Sequence, residues 1–575
     1  MNADDLELVA RRAIAEAEAE HKTDTPILDA NSNNNTANQA SISIAKKFLT
    51  VACPSFLGSK AGEDQDRLVK VGRSISGLVS IANDGEQSKE QLIAGLNGIV
   101  EQCSVLATGN LKVPKVRFGK TELQMPIVSL GCMRFQQTWD RTKIKDLKDV
   151  KDNQQENLVN ILKYSIETLG INHIEAANSY GSSEFQLGNA FQTLFSQGIK
   201  REDLIIQTKV SPFEPEKFRE IVEDSFKKLK LDYIDLLSFH GVNMYDDYDM
   251  IFDNKKGENL IDIAREYVAC GKVKHIGFSS HAQPALIKKL IETDAFSYAN
   301  IHFHAFGSYT ASGGDTGGNL ENAKLLKAKD MGSFIISPYD KGGKLFAPSK
   351  KLRSLTLPDL EPIQYGSLWL FTLSERENAS AHTISCGAAR PSDLDEPAVA
   401  AYLYANKKEE TLQKVKNVQS RLIQAQIDML GEDWLNTWHI GVPNVDSDDY
   451  IYPFGQMLWL FNLIKSFGML SFAIERYGTF DNNLKGWDFN LSNAENIGKK
   501  KMGWGYMPGI AIEQGKDYSE FFSQVPESNR AKVLEAIAFV HRLCSKSVIE
   551  KPDCPKEYEC AYDMRPWTEF PKQGG

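Results

Sequence analysis

Between residues 111 and 405 of this 575-residue chain, short apolar runs alternate with amphipathic helical segments. A short apolar run followed by a helix is typical of a parallel strand that is buried on both faces. Eight such strands, each separated from the next by a helix, predict a (β/α)₈ barrel. The predicted strands are IVSLGCM, HIEAA, LIIQTKV, YIDLLSF, VKHIGFS, ANIHFHAF, SFIISP and HTISC.

A doubly wound α/β sheet is the competing architecture for this pattern of elements. That fold normally carries a glycine-rich GxGxxG turn after its first strand. The opening segment VRFGKTELQMPIVSLGCMRF instead predicts two strands joined by a glycine-containing turn, and GxGxxG does not follow them. The α/β barrel is therefore the preferred prediction, and its ligand site is expected at the carboxyl ends of the strands.

Helical segments flank the predicted barrel on both sides. Residues 1–110 contain an acidic helix, an asparagine-rich linker at residues 31–38 and amphipathic patterns, of which KEQLIAGLNGIVEQCSVL is the clearest. Residues 406–575 open with the long helical pattern EETLQKVKNVQSRLIQAQIDML, which indicates a C-terminal α-helical domain. We expect residues 1–110 to pack on the barrel, on a partner protein or on a second copy of the chain.

Composition and charge argue against several classes of protein. The formal net charge is −10, so the chain lacks the basic surplus with which nucleic-acid binders neutralise phosphates. The longest uncharged apolar run, IYPFGQMLWLFNLI, is shorter than the ~20 residues of a membrane helix and predicts a buried helix instead. The acidic N-terminal segment has neither signal-peptide nor transit-peptide features, and the eight cysteines show no pairing pattern. We expect a cytoplasmic protein with reduced thiols.

Four ionisable side chains of different types fall at three consecutive predicted strand ends. Glu175 and Tyr180 follow HIEAA, Lys209 ends IIQTKV, and His240 follows LLSF. Taken singly, each residue has an ordinary structural explanation as a strand-end or loop residue. The carboxyl ends of barrel strands surround one mouth, so the combination predicts an acid–base site there.

At these residues the sequence resembles the aldo-keto reductase superfamily. The matching pieces, in family order, are RFGKTELQMPIVSLGCMRF, HIEAANSYGSSEFQLGNA, IIQTKV, LDYIDLLSFHG, GKVKHIGFSS and SCGAARPSDLDE. The resemblance implies reduction of an aldehyde or ketone by hydride transfer from NADPH. It assigns Tyr180 as proton donor, Lys209 as the cation that activates it, Glu175 as the partner of Lys209, and His240 as the group that orients the carbonyl oxygen.

The resemblance also implies the residues that contact the cofactor. NADP(H) is favoured over NAD(H), because Arg390 stands near the position expected to meet the 2′-phosphate, while Glu396 stands where the adenine is met. The full implied set is Gly131, Met133, Ser279, Ser280, Asn300, Ser337, Gly387, Arg390 and Glu396.

Three features depart from the family pattern or bear on other cofactors. Glu175 replaces the usual aspartate and is longer by one carbon. Relatives in the most similar branch often carry a ferredoxin-like module, but Cys544, Cys554 and Cys560 lack cluster spacing, so no iron–sulfur cluster is expected. His302 and His304 alternate in the predicted strand NIHFHAF and could form a metal pair, but no third ligand is apparent. We expect packed strand residues and no metal.

The alternative function is a barrel that binds nicotinamide cofactor without useful turnover and acts as a subunit or redox sensor. The extra helical units, the glutamate at position 175 and the altered cofactor contacts motivate this alternative. The substrate of the leading hypothesis is a small carbonyl compound whose identity the sequence does not specify.

Overall fold

The computed structural model describes residues 3–21, 35–83, 85, 88–109, 111–135, 147–255, 257–306, 318–340, 349–443, 445, 451–499, 504, 507–548 and 552–558. Residues 31–34 of the predicted asparagine-rich linker and Cys560 lie outside these ranges. The seven cysteines within them are free thiols. None of the described helices combines the length and apolar character needed to cross a membrane.

Eight parallel strands close into a barrel, which confirms the predicted fold class. The strands follow one another around the barrel in chain order, and the last, β10, pairs with the first, β3. The barrel strands are β3 Val128–Gly131, β4 His173–Glu175, β5 Ile205–Val210, β6 Ile234–Phe239, β7 Val273–Ser280, β8 Tyr298–His302, β9 Gly332–Ile336 and β10 Thr383–Gly387.

A short antiparallel hairpin precedes the barrel and closes its amino-terminal end. Strands β1 Lys115–Arg117 and β2 Gln124–Pro126 pair with each other, so this region has one strand more than the two predicted before the first helix. Phe118 of the hairpin packs with apolar residues from the barrel interior, including Tyr298 and Phe334. The lower end of the barrel is therefore a packed apolar plug, and the opposite end remains for the site.

A layer of hydrogen-bonded polar side chains lies above this plug. His173 contacts the Ser129 hydroxyl through Nδ1 (2.7 Å) and the Gln207 amide oxygen through Nε2 (3.1 Å). Gln207 in turn donates to the Ser238 hydroxyl, which lies 2.8 Å from the Tyr298 hydroxyl. Buried polar groups are costly unless they are paired, so this chain of contacts fixes the side chains on which the upper layer rests.

Helices of the barrel cover the outside of the sheet. In α9, Phe218, Val222, Phe226 and Leu229 are buried at steps of three and four, and Pro215 lies in the first turn, as the sequence pattern predicted. The helices that lie between the barrel strands, and the one that follows β10, are α7 Asp152–Lys163, α8 Ser183–Ser196, α9 Pro215–Leu229, α10 Tyr245–Phe252, α11 Leu260–Ala269, α12 Pro284–Glu292, α13 Leu320–Ala328, α14 Lys350–Thr356, α15 Pro362–Phe371, α16 Leu373–Glu377 and α17 Asp395–Asn406.

Helices before and after the barrel pack onto it. The apolar run IYPFGQMLWLFNLI enters α20 at its fourth residue, Phe454, and the residues of α20 are buried except for Lys465, in agreement with the predicted buried helix. The preceding helices are α1 Ala3–His21, α2 Asn35–Ala52, α3 Pro54–Leu57, α4 Lys60–Glu63, α5 Gln65–Asn83 and α6 Lys89–Ala107. The following helices are α18 Lys408–Leu430, α19 Glu432–Thr437, α20 Phe454–Phe467, α21 Leu470–Leu484, α22 Asn493–Lys499 and α23 Glu527–Cys544.

A buried ion pair joins the N-terminal helices to the barrel. Arg67 of α5 donates from Nε to Asp395 Oδ2 (2.6 Å) and from the guanidinium to Oδ1 (3.1 Å), at the first residue of α17. Tyr164 donates to the same carboxylate, and the Arg67 guanidinium lies 5.0 Å from the Tyr164 ring centroid. Both charged side chains are at least nine-tenths buried, so this contact is part of the folded core rather than a surface bridge.

Substituting Arg67→Met should lower the thermal unfolding midpoint clearly. The substitution leaves Asp395 buried without its cation, and removing one partner of a buried pair typically costs ~3–5 kcal/mol. Differential scanning fluorimetry measures the shift. Arg12→Met is the control, because its pair with Glu16 is exposed and should leave the midpoint unchanged. Equal midpoints for the two variants would contradict a buried structural role for Arg67.

Candidate active site

Lys209 lies buried at the end of β5, between a carboxylate and an aromatic ring. Its ammonium forms an ion pair with Glu175 Oε1 and donates to the Ala176 carbonyl oxygen at 2.7 Å. The same nitrogen lies 4.7 Å from the centroid of the Tyr180 ring. The ammonium and the carboxylate side chain are exposed by no more than 4%, so the pair is shielded from water and held close to the phenol.

Gly131 lies beside the longer carboxylate at position 175, whose Oε1 atom pairs with Lys209. Gly131 of β3 pairs directly with Glu175 of β4. A Cβ atom on Gly131 would come within 3.4 Å of Glu175 Oε2 and within 2.5 Å of Ser385 Oγ. Glutamate therefore reaches Lys209 in this backbone, although the sequence departs from the aspartate of the family pattern.

His240 and Tyr180 meet edge to face at the same mouth. Their ring centroids are 5.5 Å apart with an interplanar angle of 83°. The Ser179 hydroxyl lies 2.9 Å from His240 Nδ1, which fixes the orientation of the imidazole. The structure thus brings together all four predicted ionisable residues, and it adds Ser179, which the sequence analysis did not single out. Its place beside Tyr180 in NSYG was the only available signal.

The electrostatic environment of Tyr180 contains a second cation that the sequence analysis missed. Burial raises the pKa of the Tyr180 phenol above its ordinary value, and the positive charge of Arg134 opposes that rise. Arg134 follows Met133, which is partly buried in the loop after β3. The sequence feature that could have indicated Arg134 is its position directly after Gly131–Met133.

Asn300 and Gly387 are two of the residues expected to contact the cofactor, and the amide of Asn300 lacks a partner among the described residues. The side chain of Asn300 is fully buried and accepts from Gln207 Nε2 at 3.3 Å, while its own Nδ2 has no hydrogen-bond partner among the described residues. A buried amide N–H₂ without an acceptor is costly, and a carboxamide oxygen would satisfy it. A Cβ atom at Gly387 would meet Arg134 Cβ at 2.9 Å, so glycine is required for that close approach. Residues present here therefore fit a nicotinamide cofactor.

Ser337 has a left-handed backbone, with φ at 53°, directly after β9. A non-glycine residue with this conformation is uncommon and is found most often at turns and functional sites. The Ser337 carbonyl accepts from the Asp340 N–H at 2.9 Å, so the turn is closed by its own backbone.

Ser279 and Ser280 form hydrogen bonds with the backbone of the loop that follows β6. The Ser279 hydroxyl accepts from Gly241 N at 3.0 Å, next to His240. The Ser280 hydroxyl donates to the Val242 carbonyl and accepts from Ala282 N. Successive strand residues point to opposite faces, so Ser279 shares the barrel interior with Asn300, its neighbour in register, and Ser280 faces outward. The hydroxyls of both serines are thus engaged within the protein.

The N-terminal helices reach the two residues expected at the adenosine end. Glu396 is buried and forms an ion pair with Lys70 of α5. Arg390 lies 3.4 Å from Asp393 and 3.9 Å from Asp66, measured between charged atoms, and is one-fifth exposed. The sequence could not associate Lys70 with this end of the barrel, because 326 residues separate it from Glu396 along the chain.

The two alternating histidines do not continue along a strand as predicted. β8 ends at His302, and His304 lies in the loop beyond it. Asp340, from the loop after β9, joins them, and one ligand atom from each residue lies within 4.8 Å of the others. The sequence pattern around the two histidines does not indicate this third ligand, because Asp340 follows a different strand.

Comparisons with known proteins agree with the barrel and its motifs. Residues 128–310 match the model of the aldo/keto reductase family. "Aldo-keto reductase family 1 member C13" of Mus musculus is 35% identical over 125 residues, which cover 20% of this chain and 38% of that protein. "Uncharacterized oxidoreductase YqkF" of Bacillus subtilis is 27% identical over 206 residues, which cover 33% of this chain and 56% of that protein. The chain thus spans between about a third and somewhat more than half of the length of these relatives.

Solved structures of low sequence identity also match. An aldo/keto reductase from Brucella melitensis is 19% identical with a TM-score of 0.38, and the match covers 54% of this chain and 98% of that chain. A Bombyx mori aldo-keto reductase in complex with NADP is 17% identical with a TM-score of 0.38, over 53% of this chain and 93% of that chain. The family-model match at residues 128–310 and the sequence relatives support membership of the aldo-keto reductase superfamily for the barrel.

Proposed function

We propose that the protein reduces an aldehyde or a ketone to an alcohol with NADPH, and that Tyr180 donates the proton. The observation that carries this proposal is the buried Lys209 ammonium, paired with Glu175 and held 4.7 Å from the Tyr180 ring, with His240 against the same ring. A phenol, an ammonium and an imidazole around one mouth are the groups that protonate and hold a developing alkoxide.

The proton path follows from these contacts. Bound NADPH supplies a hydride to the carbonyl carbon, and negative charge then develops on the carbonyl oxygen. The Tyr180 hydroxyl gives its proton to that oxygen, and the resulting phenolate is stabilised by the adjacent Lys209 ammonium. Glu175 keeps the ammonium charged and fixed in place. Burial raises the pKa of Tyr180 and so weakens it as an acid, and the neighbouring cations Lys209 and Arg134 favour the phenolate and oppose this effect.

His240 orients the substrate oxygen in this scheme. When the Ser179 hydroxyl donates to Nδ1, the neutral imidazole carries its proton on Nε2. That N–H can donate to the carbonyl oxygen while Tyr180 approaches from the second direction. Two donors converge on one oxygen, which is the arrangement that an oxyanion requires.

The residues of the cofactor side support binding of the nicotinamide and of a phosphorylated adenosine. The Asn300 amide N–H₂, which has no hydrogen-bond partner among the described residues, suits the carboxamide. Met133, Ser279 and Ser337 border the same mouth. Arg390 is partly exposed and supplies a cation for the 2′-phosphate, so NADPH is favoured over NADH.

A cofactor-binding subunit without useful turnover is the second candidate. The observation that favours it is the Lys70–Glu396 ion pair, because this carboxylate was expected to meet the adenine and is instead held by the N-terminal helices. Saturable NADPH binding without oxidation by any member of a broad carbonyl panel would favour this candidate over the reductase.

Tyr180→Phe should abolish turnover and leave cofactor binding nearly unchanged. The ring and its packing remain, but the donated proton is lost, and general acid catalysis is typically worth ~10²–10⁴ in rate. Steady-state NADPH oxidation gives the loss of turnover, and quenching of tryptophan fluorescence gives the dissociation constant. Turnover equal to that of the unsubstituted protein would rule out Tyr180 as the proton donor.

Glu175→Asp should reduce kcat although it installs the residue that is usual in the family. The register with Gly131 and Gln207 fixes the backbone at position 175, so the shorter side chain withdraws the carboxylate from Lys209. Misplacement by ~1 Å at a catalytic site can cost ~10² in rate. The kcat is compared with that of Glu175→Gln, which keeps the length and removes the charge. An aspartate variant as fast as the unsubstituted protein would contradict the pairing role.

Arg390→Leu should weaken NADPH binding and spare NADH binding. A lost charge-assisted contact of ~1.5 kcal/mol corresponds to about tenfold in affinity. Fluorescence titrations with both cofactors provide the comparison. Arg219→Leu is the matched control, because Arg219 pairs with Glu258 and Glu266 on the opposite flank of the barrel. Equal weakening for NADH and NADPH would remove Arg390 from the phosphate site.

A further inference from the structure

His302, His304 and Asp340 converge at the carboxyl end of the barrel, outside the proposed proton path. One ligand atom from each residue lies within 4.8 Å of the other two, and His302 Nε2 is 3.8 Å from Asp340 Oδ1. The three side chains are buried, with exposures of 0%, 0% and 3%. Two imidazoles and one carboxylate form a donor set that transition-metal sites commonly use.

One ring nitrogen of His304 is buried without a hydrogen-bond partner among the described residues. Its Nδ1 accepts from the Phe306 N–H at 3.2 Å, and its ring stacks on Trp459 of α20. Its Nε2 atom is fully buried and has no hydrogen-bond partner among the described residues. Because Nδ1 accepts this hydrogen bond, the neutral ring carries its proton on Nε2. A metal ion at Nε2 therefore requires the other tautomer, in which the proton moves to Nδ1 and the Phe306 N–H gives up this acceptor.

Asp340 is held in position from the side opposite the histidines. Its Oδ2 atom lies 3.1 Å from Arg476 Nε of α21. Its backbone φ is 59°, a left-handed conformation that aspartate adopts more readily than most residues but still rarely. Metal-ligating carboxylates are typically fixed by such an outer partner.

We propose that His302, His304 and Asp340 bind one divalent transition-metal ion of the Zn²⁺ class. Mg²⁺ and Ca²⁺ prefer several oxygen ligands, whereas two imidazoles and one carboxylate suit Zn²⁺ and its neighbours. Arg476 offsets part of the carboxylate charge, which further favours a metal that binds neutral nitrogen strongly. Bonds of ~2.0–2.2 Å require the three side chains to close by about 1 Å around the ion.

The proposed ion joins two loops of the barrel to the C-terminal helices. His304 follows β8 and Asp340 follows β9, while Arg476 and Trp459 come from α21 and α20. Trp459 also donates from its indole N–H to the Phe306 carbonyl at 2.9 Å. Metal binding should therefore stabilise the docked arrangement of the helices, and this effect does not depend on carbonyl reduction.

The test uses the full chain, purified without a polyhistidine tag and stripped of metal with a chelator. Zn²⁺ is titrated in competition with a chromogenic chelator, and Co²⁺ serves as a spectroscopic probe of coordination. We expect saturable binding of one ion per chain, Co²⁺ absorption typical of four or five ligands, and a higher thermal midpoint with Zn²⁺. Absence of saturable binding, or an unchanged midpoint with Zn²⁺, would overturn the proposal.

Three variants assign the site. His304→Ala and Asp340→Asn should each weaken Zn²⁺ binding by at least the ~10–100-fold seen when metal sites are disturbed. His439→Ala is the control, because His439 lies beside Trp438 in the C-terminal helices and should leave binding unchanged. Circular dichroism verifies that each variant is folded, and His304→Gln replaces His304→Ala if that variant is not. Binding that survives in both ligand variants, or that is lost in His439→Ala, would refute the assignment.

Discussion

The ion pair between Lys209 and Glu175 is the contact on which the rest of the mouth depends. Both groups are almost fully removed from water, so each requires the other, and removal of either leaves an uncompensated charge in the barrel. The buried ammonium lies 4.7 Å from the centroid of the Tyr180 ring. A residue that would ordinarily be a weak acid is thus placed beside a permanent cation by the register of three adjacent strands.

The polar layer beneath this pair explains why the register is so specific. His173, Gln207 and Ser238 bond to one another across β4, β5 and β6, two residues before the strand ends that carry the site. A shift of any of these strands by one residue would turn its polar side chains outward and bury unpaired groups. The lower layer therefore positions the upper one, and Gln207 also donates directly to Asn300. Burial lowers the pKa of His173 to about 3, so its ring stays neutral and serves only as a hydrogen-bonding link.

The sequence predicted the barrel and the four ionisable groups because both follow from local periodicity. Each strand carries its own apolar pattern, and each catalytic candidate lies at or soon after the end of its own strand, as Lys209 and His240 do. Partners that come from distant parts of the chain were missed for the same reason. Lys70 pairs with Glu396 and Arg476 pairs with Asp340, and no pattern within either segment of sequence indicates its partner. His304 was wrongly extended into β8, because alternation alone does not mark where the hydrogen-bonded ladder stops.

Both flanking helical units carry cations that form ion pairs with carboxylates of the barrel region. The barrel therefore cannot be separated from these helices without leaving those carboxylates unpaired. Arg67 and Lys70 of α5 neutralise Asp395 and Glu396 at the start of α17, and Arg476 of α21 neutralises Asp340 after β9. Excision of the barrel alone would remove all three cations at once. It would also uncover the apolar face of α20 that covers the loop after β8. The change in composition along the sequence therefore marks where the architecture changes, whereas the free energy of folding is shared across those boundaries.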